Sequence, residues 1–273
     1  MSENAPSPDQ RLATFHERRA MSVASPTGSL ALTTTQWVDG EQRIWGVPGL
    51  WAPAPDGIAG LQVTVSADET IALDGVALSG TTIVPLPAAE APARLTFAEG
   101  VTGLVIQNPD GACALRVWDA HADTVTRFGR IDSYPYNPDW VVEASFLPVD
   151  DLVVGFEHVK DEGKTRELPV PGEIVFTKDG TEYRLAAFQS GRALQLVFSD
   201  ATSGVDTYSV GRFLFVAPAA DGRIILDFNY AVLPPCAFSY AFNCPMPPAQ
   251  NRFTVPITAG EKNVLAADGS PLH

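Results

Sequence analysis

The residues best suited to chemistry lie near the C-terminus, in LDFNYAVLPPCAFSYAFNCPMPPAQNR, residues 226–252. The ends of this stretch carry Asp227, Asn229, Tyr230, Asn251 and Arg252, an acid, amides, a phenol and a guanidinium, and two thiols lie between them among five prolines. Proline fixes φ and removes a backbone donor, so the stretch is stiff and unfit for an interior strand. Ordered loops of this length often serve function. A second concentration, FSDATSGVDTYSVGRF over 198–213, adds Tyr208 and Arg212. Together they suggest a polar pocket for a small molecule. Asp227 is its acid/base candidate, and Arg212 and Arg252 are anchors for a carboxylate or other anion. Asn229, Asn251, Tyr208 and Tyr230 would orient the ligand, with His16 reaching in from a helix. Hydrolysis is the mildest reaction to assign, because no motif calls for a redox cofactor. The same residues also fit a cover over the open end of a β body. Asp206 with Arg212, or Asp200 with Arg252, would then be ion pairs that pin a turn. In that reading the protein is a non-catalytic structural or interaction module, showing an apolar patch at 245–248 with Phe238 and Phe242.

Cys236 and Cys244 stand as Cys-x7-Cys without a nearby histidine or second cysteine pair, whereas a structural zinc site wants four ligands. Buried inert thiols and a disulfide across the short loop both remain open, and either role is structural. No metal and no cofactor is expected. The phosphate-cradling glycine loop, the Gly-x-Ser-x-Gly elbow and the His-Glu-x-x-His pair are all missing, and His16, His121, His158 and His273 are scattered.

Positioning such a site falls to β-structure. Twenty-two glycines and 23 prolines without a repeat point to many turns between short strands. The exception is a helix over 7–25. Ser7 and Gln10 form a capping box, Pro8 fits the first turn, and Leu12, Phe15 and Met21 make an apolar stripe beside His16 and Arg19. Ser25-Pro26-Thr27-Gly28 stops it. A first β lobe, 29–140, follows as a meander with strands at 69–73 and 76–78 about an Asp74-Gly75 type I′ turn. Further strands fall at 81–86, 94–97, 104–107 and 112–118. Residues 127–140, RFGRIDSYPYNPDW, read as an aromatic and proline-rich loop. A second β lobe, 141–273, has strands at 141–147, 152–158, 173–177, 182–188, 193–198, 207–216 and 223–230. Its turns lie at 178–181 and 221–222, its Pro/Cys-rich loop spans 231–251, and a strand resumes at Asn251-Arg252. The fold class is all-β and mainly antiparallel: two packed lobes, each a sandwich or partly closed barrel, with a short N-terminal helix.

A net charge of −14 opposes both a phosphate backbone and an anionic membrane, so neither nucleic acid nor membrane is an expected partner. No apolar run is long enough to span a bilayer and no basic-then-apolar leader is seen, so the expected location is the cytoplasm. The expected partner is a small-molecule ligand.

Four passages resemble a bacterial and archaeal family known as domain of unknown function 1684. They are TFHERRAMSVASPTGSLALTTTQW, FGRIDSYPYNPDWVVEASFLP, FSDATSGVDTYSVGRFLF and LDFNYAVLPPCAFSYAFNCPMPPAQNRFTVPITAGEK. The resemblance runs over about 14–262 and centres on Pro234-Pro235-Cys236-Ala237-Phe238, Cys244-Pro245-Met246-Pro247-Pro248 and Asn251-Arg252. Where many members read Asn-Lys-Ala-Tyr-Asn-Pro-Pro-Cys, this chain has Asn229-Tyr230-Ala231-Val232-Leu233-Pro234-Pro235-Cys236. A basic residue and a polar tip are lost there. The resemblance implies that the segment is a fixed feature of the fold; it names no substrate, cofactor or catalytic residue.

Overall fold

A computed structural model describes residues 6–87, 94–161 and 163–272; His273 lies outside them. The helix runs Pro8–Val23, opened by the expected box: the Gln10 N–H donates to Ser7 Oγ at 3.2 Å and the Ser7 N–H to Gln10 Oε1 at 2.8 Å. Its inward stripe is Leu12, Phe15, Arg19 and Val23. Met21 is a correction, being 75% exposed. Nine residues beyond Leu12, at 3.6 residues per turn, it falls on the opposite side of the helix.

The chain divides into two compact units by contact. The first comprises Met1–Ala20, Phe128–Phe238 and Asn243–His273. Its larger sheet has the antiparallel order Thr181–Ala186, Gly172–Lys178, Val141–Pro148, Arg223–Asp227. Its three-stranded sheet is Phe188–Ser190, Ala193–Phe198, Arg212–Val216. Alternating side chains from the two sheets make one core, with Val142, Ile174 and Leu185 from one and Leu196, Phe198 and Leu214 from the other. Phe228 and Phe253, from irregular segments, meet Phe198 edge-on in this core.

The second unit, Met21–Arg127 with Ser239–Phe242, pairs a six-stranded and a four-stranded antiparallel sheet. Trp51, Leu61, Val63 and Val84 of the smaller sheet share a buried cluster with Leu95, Val105, Leu115 and Val117 of the larger. The Asp74-Gly75 hairpin forms as expected between Ala72–Leu73 and Val76–Ala77, with φ of 50° and 81° at the two turn residues. The protein is therefore all-β and mainly antiparallel with one N-terminal helix of note. Among the described residues no sheet closes into a barrel.

Four local expectations change. The strand expected over 207–216 begins only at Arg212, because Tyr208–Gly211 closes a turn through Gly211 N–H to Tyr208 O at 3.1 Å. Asp221-Gly222 does not join neighbours: Arg223–Asp227 pairs with Val141–Pro148 instead of the preceding strand. Asn251 ends a 3-10 turn, Ala249–Asn251, rather than opening a strand. Part of the supposed 127–140 loop is a strand, Phe128–Ser133, paired with Glu261–Ala266. Their register is interrupted at two points, which blurs the period-two signal.

In the second unit Glu69 acts as a clamp. Its carboxylate accepts from the Ser66 N–H at 3.0 Å, the Gly49 N–H at 3.1 Å and Arg43 Nη1 at 2.9 Å. Those two backbone donors, then Arg43, hold its pKa down at about 2 against an ordinary 4.5. The folded value is depressed, so the clamp's stabilisation is present above about 4.5 and is lost as pH falls through about 2. An NMR titration should place the Glu69 midpoint near 2. In Arg43→Ala it should rise only part of the way to 4.5, because the backbone donors remain.

Candidate functional site

The C-terminal segment is buried although it has few ladder bonds, so its backbone groups need other partners. Side chains supply them. Arg212, with 0% of its surface exposed, directs four of its five N–H bonds inward. Nη2 donates to Asp200 Oδ2 at 2.7 Å and to Ile257 O at 2.9 Å, and Nη1 to the carbonyls of Ala259 and Glu261. Asp200 Oδ1 in turn accepts from Thr202 N and Oγ1 and from Ile257 N. The Phe198 ring lies against the guanidinium, 5.3 Å from centroid to Cζ. Asn251 performs the same service elsewhere, accepting from Ala186 N and donating to the carbonyls of Ala186 and Val197, each at 2.9 Å. Asn229 exchanges two bonds with the backbone of Asn137, at 2.7 and 2.9 Å.

The residues expected to converge on a polar pocket therefore divide. Arg212, Asn229 and Asn251 are fully buried within the fold. The actual pair is Asp200–Arg212, not Asp206–Arg212 or Asp200–Arg252. Asp227 caps a 3-10 turn, its Oδ1 accepting from Asn229 N at 3.0 Å and Nδ2 at 2.8 Å. Tyr208 donates through its hydroxyl to Cys236 O at 3.2 Å, and does not share a strand face with Arg212. Arg252 is exposed and donates Nε to Pro247 O at 3.1 Å. Cys236 and Cys244 are both buried and are not joined by a disulfide. The apolar patch expected around 245–248 is not displayed, since Pro247, Pro248 and Phe238 are buried.

Tyr230 opens onto a hollow with helix residues. Phe15, Arg19, Phe215, Tyr230 and Val232 line a space of about 400 Å³. Phe15 meets the Tyr230 ring edge-on at 5.0 Å, and Phe215 stands 48% exposed on the other wall. Arg19 is held in place by three contacts. Nε donates to Glu261 Oε1 at 3.1 Å, Nη2 donates to Leu233 O at 2.9 Å, and the Phe238 ring lies 5.2 Å beneath the guanidinium. Its Nη1 has no hydrogen bond among the described residues. Glu261 is wholly buried; burial pushes its carboxyl up against the opposing pull of Arg19 and of the Leu233 N–H, which it accepts at 2.7 Å. His16 is beside this stripe but not among the lining residues. Burial holds its imidazole below the usual value, and its Nε2 is buried without a partner among the described residues.

Gly260 makes the close approach possible. It sits at φ 81°, and a Cβ there would lie 2.7 Å from the carbonyl oxygens of both Phe228 and Ala231. A larger concavity, about 680 Å³, lies over the open face of the four-stranded sheet, with Glu143, Ser145, Leu147, Val175, Arg223 and Ile225 among its walls. It is the wider space, and its one guanidinium, Arg223, is bound through Nε to Asp221 at 2.6 Å at an exposed position, whereas Arg19 is held by buried partners. Sequence reasoning also missed a polar cluster. Asp161 receives Arg166 bidentately at 2.6 and 2.9 Å and Asn243 at 2.9 Å, with His158 Nδ1 3.6 Å away. Nothing in the sequence joins 158–166 to Asn243; the fold does so through His158 facing Pro245.

Residues 126–262, half of the chain, match the family described as protein of unknown function (DUF1684). The chain belongs to this family. The DUF1684 region takes in every residue of the buried polar network and all of the hollow except the helix. Among solved structures, one similar chain is an uncharacterized protein of Haloarcula marismortui determined by solution NMR. It is 32% identical, and the match covers 50% of this chain and 77% of that one with a TM-score of 0.41. No curated protein matches.

Arg212→Met should cost about 3–5 kcal/mol, because Asp200 is left buried and unpaired and three carbonyls lose their donor. Arg252→Ala should cost about 1 kcal/mol or less. Urea unfolding of both variants measures the contrast. The pH dependence carries a second signature. Glu261 binds its proton more tightly folded than unfolded, so its contribution is greatest below the ordinary 4.5 and is lost as pH rises through the elevated value. Glu261→Gln should remove that decline from the stability–pH curve.

Proposed function

We propose that the protein binds a small, mainly apolar molecule carrying one hydrogen-bond acceptor, best a carboxylate, in the hollow beneath the N-terminal helix. The observation that carries this reading is Arg19. Its guanidinium is fixed by Glu261 and Leu233, Nη1 makes no hydrogen bond among the described residues, and the residue lines the hollow with Phe15, Phe215 and Tyr230. A fixed guanidinium suits a carboxylate in geometry as well as charge. A neutral carbonyl can accept from the same donors more weakly. The volume lies within the range of small-molecule pockets, and aromatic walls with one polar group are their common composition.

The reading is binding rather than catalysis. Asp227, the acid/base candidate for a hydrolase, has one carboxylate oxygen occupied by both nitrogens of Asn229 and lends hydrolysis no support. Burial of Phe238, Pro247 and Pro248 likewise weakens a partner-docking role for the proline-rich loop.

Thermal-shift titrations with octanoate, phenylacetate and their amides test this proposal. The acids should raise the melting temperature saturably and more than the amides do. Phe215→Trp, which fills the hollow from an exposed wall, should weaken the response at least about tenfold in Kd, roughly 1.4 kcal/mol. A response from neither acid, or one that Phe215→Trp leaves unchanged, rejects the hollow as the site.

A further inference from the structure

Cys236 and Cys244 lie where the chain leaves the first unit and returns to it. Between them, Ser239–Phe242 is counted with the second unit. There Ser239 Oγ donates to Leu32 O, and the Phe242 ring lies 5.5 Å from the Arg116 guanidinium. Each cysteine is held through its backbone carbonyl. Cys236 O accepts from the Tyr208 hydroxyl at 3.2 Å, and Cys244 O accepts from Val159 N at 3.0 Å. Two residues on, Met246 N donates to Glu157 O at 2.7 Å. Pro234 and Pro235 stiffen the approach to one thiol and Pro245 follows the other. Between these anchors the Cys236 N–H donates to Cys244 Sγ at 3.2 Å, which sets the second sulfur against the first cysteine, and the Cys244 side chain hydrogen-bonds to the Cys236 thiol.

We propose that Cys236 and Cys244 are a redox pair that hydroperoxide closes reversibly into a disulfide at the neck of the loop. The order of attack follows from the surroundings. The bond from Cys244 draws the Cys236 thiol below its ordinary range; burial opposes this, while Tyr208 and the N–H groups of Cys236 and Ala237 assist. Cys236 thiolate attacks the peroxide oxygen, the O–O bond breaks, and the departing hydroxide takes a proton to leave as water. Cys244, as thiolate, then attacks the Cys236 sulfenic sulfur; the S–O bond breaks and a second water leaves. Two thiols lose two electrons and two protons in all, and the peroxide takes up both. Both cysteines are nearly inaccessible, at 3% and 4% exposure, which favours a small peroxide over a bulky disulfide as the oxidant. Cys113 is also buried, but it lies in the second unit within a strand and has no thiol partner.

The full chain, first reduced, is treated with hydrogen peroxide, and the remaining thiols are alkylated after unfolding. Intact mass and peptide mapping should show the loss of two hydrogens, a Cys236–Cys244 crosslink, a free Cys113, and recovery with dithiothreitol. In Cys244→Ser the sulfenic acid at Cys236 should persist long enough to be trapped with dimedone. The wild-type experiment stands even if that variant folds poorly. Both loop thiols alkylated after peroxide, oxidation beyond sulfenic acid without a crosslink, or a crosslink to Cys113 would each overturn the proposal.

Discussion

The buried ion pair between Arg212 and Asp200 is the interaction on which the C-terminal architecture depends. A chain passing through a protein interior outside a helix or sheet leaves its amides and carbonyls without partners, at a cost of about 1–3 kcal/mol for each group left unmade. Residues 257–261 avoid that cost because one guanidinium gathers three of their carbonyls while Asp200 takes the Ile257 amide. Two ions without each other would be costly in such surroundings, and paired they are tolerated. The planar, multidentate geometry of arginine suits this role; lysine would offer a single point of charge.

The rest of the segment repeats the arrangement with different chemistry. Asn251 replaces a ladder between Ala186 and Val197, and Asn229 does so for Asn137. Glu261 takes the Leu233 amide while Arg19 takes the Leu233 carbonyl. Proline-rich sequence fits here because every proline removes a donor that would otherwise need satisfying. The hollow is a by-product of this arrangement: Arg19 is recruited to hold Leu233 and Glu261, and the residue lines the hollow beside aromatic rings.

Much of the fold was legible in the residues. The capping box of Ser7 and Gln10, the Asp74-Gly75 turn and the alternation in 141–147 and 193–198 are local signals, and the structure realises each. What stayed hidden was non-local. Phe128–Ser133 pairs only with Glu261–Ala266, far along the chain, and the register shifts in that pairing break the period. The site residues were conspicuous for the right reason, as polar groups in an apolar, proline-stiffened setting, yet sequence cannot distinguish a side chain aimed at a ligand from one aimed at a backbone carbonyl. Arg212, Asn229 and Asn251 proved to be of the second kind. Arg19 could have been singled out by its position one helical turn beyond Phe15, on the same stripe, where a charge is out of place unless it has a buried partner.

Native-state hydrogen exchange at the Leu233 and Ile257 amides tests most directly whether side chains replace a ladder in this segment. Both amides end on buried carboxylates, of Glu261 and Asp200 respectively. They should exchange only through global unfolding, as slowly as amides in the strand Ala193–Phe198. Exchange at the rate of an open surface loop, while that strand stays protected, would contradict the account.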